Sequence, residues 1–274
     1  MPKRKMVIQE GYILGKYPYL CFGEGPPLVV LRGIMPSNEN SKGIARWAEL
    51  RMLKPYAQHF TVYSISRRPE LPSGTTIADL AEDYAEAIQS EFSCPVDILG
   101  FSTSGTIALQ LAVDHSVLLR RLIVAGTAFK LGQIGKEVQR KYAESLIKGR
   151  YREASKSLAP ILAKSKIGQC MMGTTMWITE PLGRAEQYTD MIVTLAAEDT
   201  FDIGDRLKEI AVPTLIIGGE YDFVYPLELV VQTAKQIPQS QLIIYPKCLH
   251  NHIFTHKRFI PDTNVFLLKN DLKG

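Results

Sequence analysis

Six residues, Gly100-Phe101-Ser102-Thr103-Ser104-Gly105, constrain this chain more than any other stretch. The run Val96-Asp97-Ile98-Leu99 before them reads as a buried strand, and Thr106-Ile107-Ala108-Leu109-Gln110-Leu111-Ala112-Val113 after them reads as a helix. A strand that turns into a helix within so few residues brings two backbones almost into contact, and only small side chains fit there. Gly100, Ser104 and Gly105 supply them. A serine at the tip of such a turn is held in strained backbone, at a cost of about 1–3 kcal/mol. This is the sequence form of a nucleophile elbow, G-x-S-x-G, with Ser104 in place of the second glycine. Ser102 is the candidate nucleophile. Ser104 also has small neighbours, but its turn would begin late, after Gly100 has already ended the strand.

Around the elbow, strands and helices alternate. Residues 6–13 and 17–22 read as a two-stranded meander, followed by the turn Gly23-Glu24-Gly25-Pro26-Pro27. The wholly apolar run at 28–31 reads as a strand covered on both faces, those at 122–126 and 214–218 as buried strands, and the runs at 60–65 and 241–245 as further strands. Residues 44–54 predict a helix carrying Trp47, Leu50 and Leu53 on one face. Residues 76–91 predict another, with Ile77, Leu80, Ala81, Tyr84 and Ile88 on its apolar stripe. This alternation implies an α/β fold, a mostly parallel central sheet with helices on both faces. Residues 130–200 break the rhythm. They hold no strand-like run, and Ile134, Val138, Tyr142 and Leu146 recur at helical spacing, with a second periodic run over 185–197. The expected organisation is a core from 1–129 and 201–274, with a helical cap at 130–200 inserted between its halves.

Composition narrows the classes further. Hydrophobic residues make up 46% and charged residues 22%, enough for a sizeable core. The net charge of +4 is not gathered into a basic tract, so nucleic acid is not an expected partner, and Lys3-Arg4-Lys5 reads as a solvated end. No apolar run reaches membrane-spanning length. Gln9-Glu10-Gly11 interrupts the stretch where a signal peptide would be continuously apolar. Cys21, Cys94, Cys170 and Cys248 are scattered without metal-ligand spacing and read as free thiols of a cytoplasmic protein.

A serine hydroxyl is a weak nucleophile and needs a general base, which in turn needs an orienting acid. Among the five histidines, His59 and His115 read as surface or capping residues. His250, His252 and His256 cluster after the final strand. Two carboxylates, Glu220 and Asp222, stand in the loop after the 214–218 strand, where active sites of open α/β sheets gather. The loop after the 122–126 strand offers Thr127 and no carboxylate.

The order of serine, acid and histidine, with a helical insertion before the acid, resembles the α/β-hydrolase superfamily over nearly the whole chain. Gly219, Asp222 and Pro226 match that family's acid loop, which favours Asp222 over Glu220. Tyr245-Pro246-Lys247-Cys248-Leu249-His250 matches in length its histidine segment, with Leu249 where glycine is usual. His250 fits the loop length. His252 stays open as the alternative base because Ile253-Phe254 follow it, and His256, beside Lys257 and Arg258, is expected to be exposed. Residues 28–33 resemble the family's strand ending in His-Gly, with Arg32 in the histidine position.

The resemblance implies a triad of Ser102, Asp222 and His250, with an oxyanion hole from the backbone N–H groups of Thr103 and Ile34. Arg32 is expected either to prop the loop or to attract an anionic substrate group. Met172, Met176 and Trp177, beside Met171, are candidate substrate contacts in the cap. No metal or organic cofactor is implied. The expected function is hydrolysis of a carboxylic ester or related small acyl compound through an acyl-enzyme, that is, a carboxylesterase. C–C bond hydrolase, lactonase, amidase and acyltransferase activities would use the same triad, and a non-catalytic small-ligand receptor would use the same fold.

Overall fold

A computed structural model describes residues 7–269. Lys3, Arg4, Lys5 and Met6, the start of the first expected strand, lie outside them. Eight strands form one sheet: β1 (Ile8–Ile13), β2 (Tyr17–Phe22), β3 (Pro27–Leu31), β4 (Thr61–Ile65), β5 (Val96–Phe101), β6 (Leu119–Ala125), β7 (Thr214–Gly219) and β8 (Ser240–Tyr245). Their order is β1-β2-β4-β3-β5-β6-β7-β8. The meander β1-β2 and the β2-β4 pair are antiparallel, and every other pair is parallel. From β3 the chain moves outward to β4, then returns past β3 to β5. This reversal opens a crevice at the carboxyl ends of β3 and β5, where ligands bind in open α/β sheets.

Both faces are covered, so the strands are apolar on alternate residues to either side. Val29, Leu31, Ile98, Leu122, Val124 and Ile216 pack under α2 (Ile77–Glu91), α3 (Thr103–Asp114) and α9 (Leu227–Gln236). Leu28, Val30, Leu99, Ile123, Leu215 and Ile217 face α10 (Phe259–Leu267) and the end of α1 (Gly43–Leu53). The α2 stripe is buried as its spacing predicts, and Thr76 closes a reciprocal capping box with Asp79 at its start. α1 differs from expectation: Leu53 is buried, but Trp47 points outward and is 60% exposed.

Between β6 and β7 the described residues form helices α4 (Gln133–Ile147), α5 (Tyr151–Ser157), α6 (Ala159–Leu162), α7 (Lys166–Gly183) and α8 (Thr189–Asp199). The periodic run expected over 185–197 becomes helical only at Thr189. The block leaves and rejoins the core at one point, where Lys130 and Asp202 form an isolated antiparallel bridge. It has a small core of its own, built from Leu146, Ala154, Met191 and Leu195, with Ile34 of the β3–α1 loop packed against it. Asp190 pins α8 to the body by accepting from the backbone N–H of Leu71 at 2.9 Å and of Glu70 at 3.3 Å. No described helix is long and apolar enough to cross a membrane.

Two close approaches hold the elbow. A Cβ on Gly100 would meet the Ser104 carbonyl oxygen at 2.5 Å, and one on Gly105 would meet Thr127 Cγ2 at 2.6 Å. Gly105→Ala should therefore be destabilising: overpacking costs about 1–3 kcal/mol, against the roughly 1 kcal/mol that Ala gains over Gly within a helix. The expected result is a lower Tm for Gly105→Ala, partly restored by Thr127→Ser, which removes the clashing methyl. A Tm at or above wild type contradicts this packing.

Candidate active site

β5 runs through Gly100 to Phe101, and α3 begins at Thr103, so Ser102 alone makes the turn. Its backbone sits at φ 54° and ψ −128°, a strained region for a residue with a side chain. The surroundings hold it there. Ser102 N–H donates to Ala125 O at 2.9 Å, and Ser102 O accepts from Gly105 N–H at 2.7 Å. Ser104, the departure from G-x-S-x-G, turns inward. Its Oγ lies 2.9 Å from both the amide nitrogen and the carbonyl oxygen of Phe101, tying the last strand residue to the first helical turn. Its hydroxyl is fully buried and far less available than that of Ser102.

His250 Nε2 lies 2.9 Å from Ser102 Oγ, and His250 Nδ1 lies 2.8 Å from Asp222 Oδ2. A buried carboxylate only accepts, so Nδ1 carries the proton toward Asp222 and Nε2 offers its lone pair to the serine O–H. Asp222 Oδ1 is held in turn by the backbone N–H groups of Val224 at 2.8 Å and Tyr225 at 3.0 Å. The imidazole stacks on Phe101, with centroids 5.4 Å apart. Gly126 lets the ring approach, since a Cβ there would stand 3.3 Å from His250 Cε1. Three loops after β5, β7 and β8 thus meet at one point.

The alternatives fall elsewhere. His252 is exposed on the short 3₁₀ turn His250–His252. Glu220 accepts from the backbone N–H of Lys247 at 2.6 Å instead of approaching a histidine. His256, expected to be exposed, is half-buried and stacked on Tyr245 at 4.0 Å. His115 caps α3 and lies 2.7 Å from Glu82.

Thr103 is the first residue of α3, so its N–H has no acceptor within the helix. Ile34 lies in the loop after β3, where Arg67 fixes the backbone. The buried Arg67 guanidinium donates to the carbonyls of Arg32 and Gly33, both at 3.0 Å. In the trans peptide joining Gly33 to Ile34, N–H points opposite to C=O, so the Ile34 N–H faces away from Arg67. Arg32 is buried too. It donates to Glu49 Oε1 at 3.0 Å, Ser64 O at 3.2 Å and Glu39 O at 3.3 Å. These bonds fit the propping role better than capture of a substrate anion.

A cavity of about 580 Å³ adjoins this centre, between α1 and the sheet. Val30, Met35, Met52, Leu99 and Phe254 are among its walls, as is Phe101, which stacks on the imidazole. Gly33 and Asn251, neighbours of Ile34 and His250, also line it. Met172, Met176 and Trp177 do not. They lie on α7, where Trp177 is under the Arg152 guanidinium at 4.4 Å and Met171 is 67% exposed.

One buried group at the site was missed from sequence. Glu198, in the last turn of α8, is wholly buried. Its carboxyl accepts from Thr103 Oγ1 at 2.9 Å, Tyr225 Oη at 2.5 Å and Gln139 Nε2 at 2.8 Å. Burial pushes this carboxyl above the usual range, while the Tyr225, Gln139 and Thr103 hydrogen bonds and the nearby His250 pull it back. The available signal is position: Glu198 continues the stripe Met191, Thr194, Leu195 that α8 turns to the core.

The family model described as serine aminopeptidase, S33 matches residues 72–256. Among curated proteins, pyrrolizixenacetamide deacetylase of Xenorhabdus hominickii is 23% identical over 269 residues, covering 93% of this chain and 95% of that protein. Proline iminopeptidase of Thermoplasma volcanium is 28% identical over 208 residues, covering 68% and 69%. An α/β hydrolase from a Medee basin deep-sea metagenome library superposes with a TM-score of 0.80 at 18% identity, covering 97% of this chain and 99% of that one.

Ser104→Ala removes both ties to Phe101. It should lower stability by about 1–3 kcal/mol through the unpaired Phe101 amide, read as a lower Tm, while a fluorophosphonate probe still labels Ser102. Loss of labelling in a folded Ser104→Ala protein would contradict the division of labour between the two serines.

Proposed function

Since the chain belongs to the serine aminopeptidase S33 family of α/β hydrolases, we propose that it is a serine hydrolase cleaving a carboxylic ester or related small acyl compound. The observation that carries this reading is the unbroken Ser102–His250–Asp222 chain of contacts at 2.9 and 2.8 Å. His250 takes the serine proton as Ser102 attacks the carbonyl, and Asp222 stabilises the imidazolium that forms. The N–H groups of Thr103 and Ile34 bind the oxyanion, each such donor contributing about 2.7–4 kcal/mol in the transition state. His250 returns the proton to the leaving group. Water, activated by the same imidazole, then releases the acid from the acyl-enzyme.

The apolar cavity supports a substrate with an apolar arm. α1 carries Ala45, Ala48 and Met52 on the side lining the cavity, while Ile44 and Trp47 point to solvent. Leu50 and Leu53 of the same helix do pack against the sheet, so the cavity lies under its small residues Ala45 and Ala48, and its size suits a small molecule. Amide cleavage is the second reading, favoured by relatives described as a deacetylase and an iminopeptidase.

With p-nitrophenyl esters, Ser102→Ala and His250→Ala should each lower kcat by about 10³-fold or more while the proteins still melt cooperatively. His252→Ala should have a far smaller effect. Full turnover by Ser102→Ala would overturn the nucleophile assignment, and a severe loss confined to His252→Ala would move the base. An acetanilide panel run alongside decides between ester and amide. In a graded series of acyl chains, Met52→Trp should reduce kcat/KM for octanoyl esters about tenfold relative to acetyl esters. An unchanged ratio removes the cavity from the substrate path.

A further inference from the structure

We propose that Glu198 is a positioning residue that ties the inserted helical block to the nucleophile elbow and to the loop that carries Asp222. The inference rests on the acyl-transfer reading above. The contacts join four parts of the chain. Glu198 comes from α8, Gln139 from α4, Thr103 from the elbow, and Tyr225 from the loop that carries Asp222. Thr103 is also the residue whose backbone N–H is assigned to the oxyanion. Its side chain is therefore locked by the same carboxyl that locks the acid loop.

The partners around Glu198 fix its orientation. Two carboxyl oxygens are met by the Thr103 hydroxyl, the Tyr225 hydroxyl and the Gln139 amide N–H. Thr106 Oγ1, the next nearest hydroxyl at 3.5 Å, donates to Thr103 O at 2.7 Å. The two hydroxyls can donate or accept, so the carboxyl is fully partnered in either protonation state. Burial pushes its titration above the usual range, and these partners pull it back.

Replacing Glu198 by glutamine keeps the shape, but its amide cannot accept from Thr103, Tyr225 and Gln139 together, so the ties between the block, the elbow and the acid loop loosen. Replacing Tyr225 by phenylalanine removes the tie to the acid loop and keeps those to Thr103 and Gln139.

The test is the rate at which a fluorophosphonate labels Ser102, measured across probe concentration, with a thermal melt of each protein. Glu198→Gln should lower the maximal labelling rate about tenfold or more and leave the apparent probe affinity within about threefold. Tyr225→Phe should lower the maximal rate about threefold or more with the same unchanged affinity, and it carries the test alone if Glu198→Gln does not fold. A maximal rate equal to wild type, or a fall in rate matched by an equal loss of probe affinity, overturns the proposal by reducing Glu198 to packing. Wild-type protein that does not label at all overturns the acyl-transfer reading itself, and this inference with it.

Discussion

The backbone of Ser102 is the constraint on which the site depends. A residue at φ 54° keeps that conformation only when its neighbours leave no alternative. Here they do so by contact on every side. Gly100 lies against the Ser104 carbonyl, Gly105 against Thr127, and Ser102 N–H is bonded to the end of β6. The same close packing recurs where the other two triad loops meet. A Cβ on Gly219 would stand 2.5 Å from Cys248 O, and Tyr221 N–H donates to that oxygen at 2.9 Å. The acid and histidine loops are thereby fixed to each other before either side chain reaches Ser102. The backbone thus holds the proposed site in one arrangement.

How much of this was legible in the sequence follows from where the information sits. The parallel strands announce themselves because a strand buried on both faces must be apolar throughout, as in Leu28 to Leu31 and Thr214 to Gly218. The elbow is equally local, since its small residues adjoin the serine. His250 and His252 differ only by two positions on a tight turn, and tertiary contact with Asp222 separates them. The Met171, Met172, Met176 and Trp177 group shows the reverse failure: an apolar cluster was readable, but the outward rotation of α7 was not. Trp47 misled in the same way, because α1 leaves a cavity beneath its small face. Glu198 is masked because a glutamate before Asp199 and Thr200 reads as a solvated helix end, and only its place on the stripe of Met191, Thr194 and Leu195 points inward.

Membership of the α/β-hydrolase family gives the chemistry its general form, and the chain's departures from family habit acquire physical reasons. Ser104 replaces glycine and uses its hydroxyl to bind Phe101. Arg32 replaces histidine and, with Arg67, holds the loop that carries Ile34. The helical block does more than cover the strand ends. Through Asp190 it grips the loop after β4, through its small core it packs Ile34, and through Glu198 it reaches the elbow. Both proposed oxyanion donors, Thr103 and Ile34, therefore have a side chain in contact with the block.

The central claim is that Ser102 carries the acyl group between two half-reactions. Mixing the protein with an activated ester, quenching in acid within the first turnovers and mapping the added mass tests it directly. The account predicts one acyl group per chain, on Ser102, that disappears as substrate is exhausted. Hydrolysis without any covalent adduct, or an adduct confined to another residue, would contradict it.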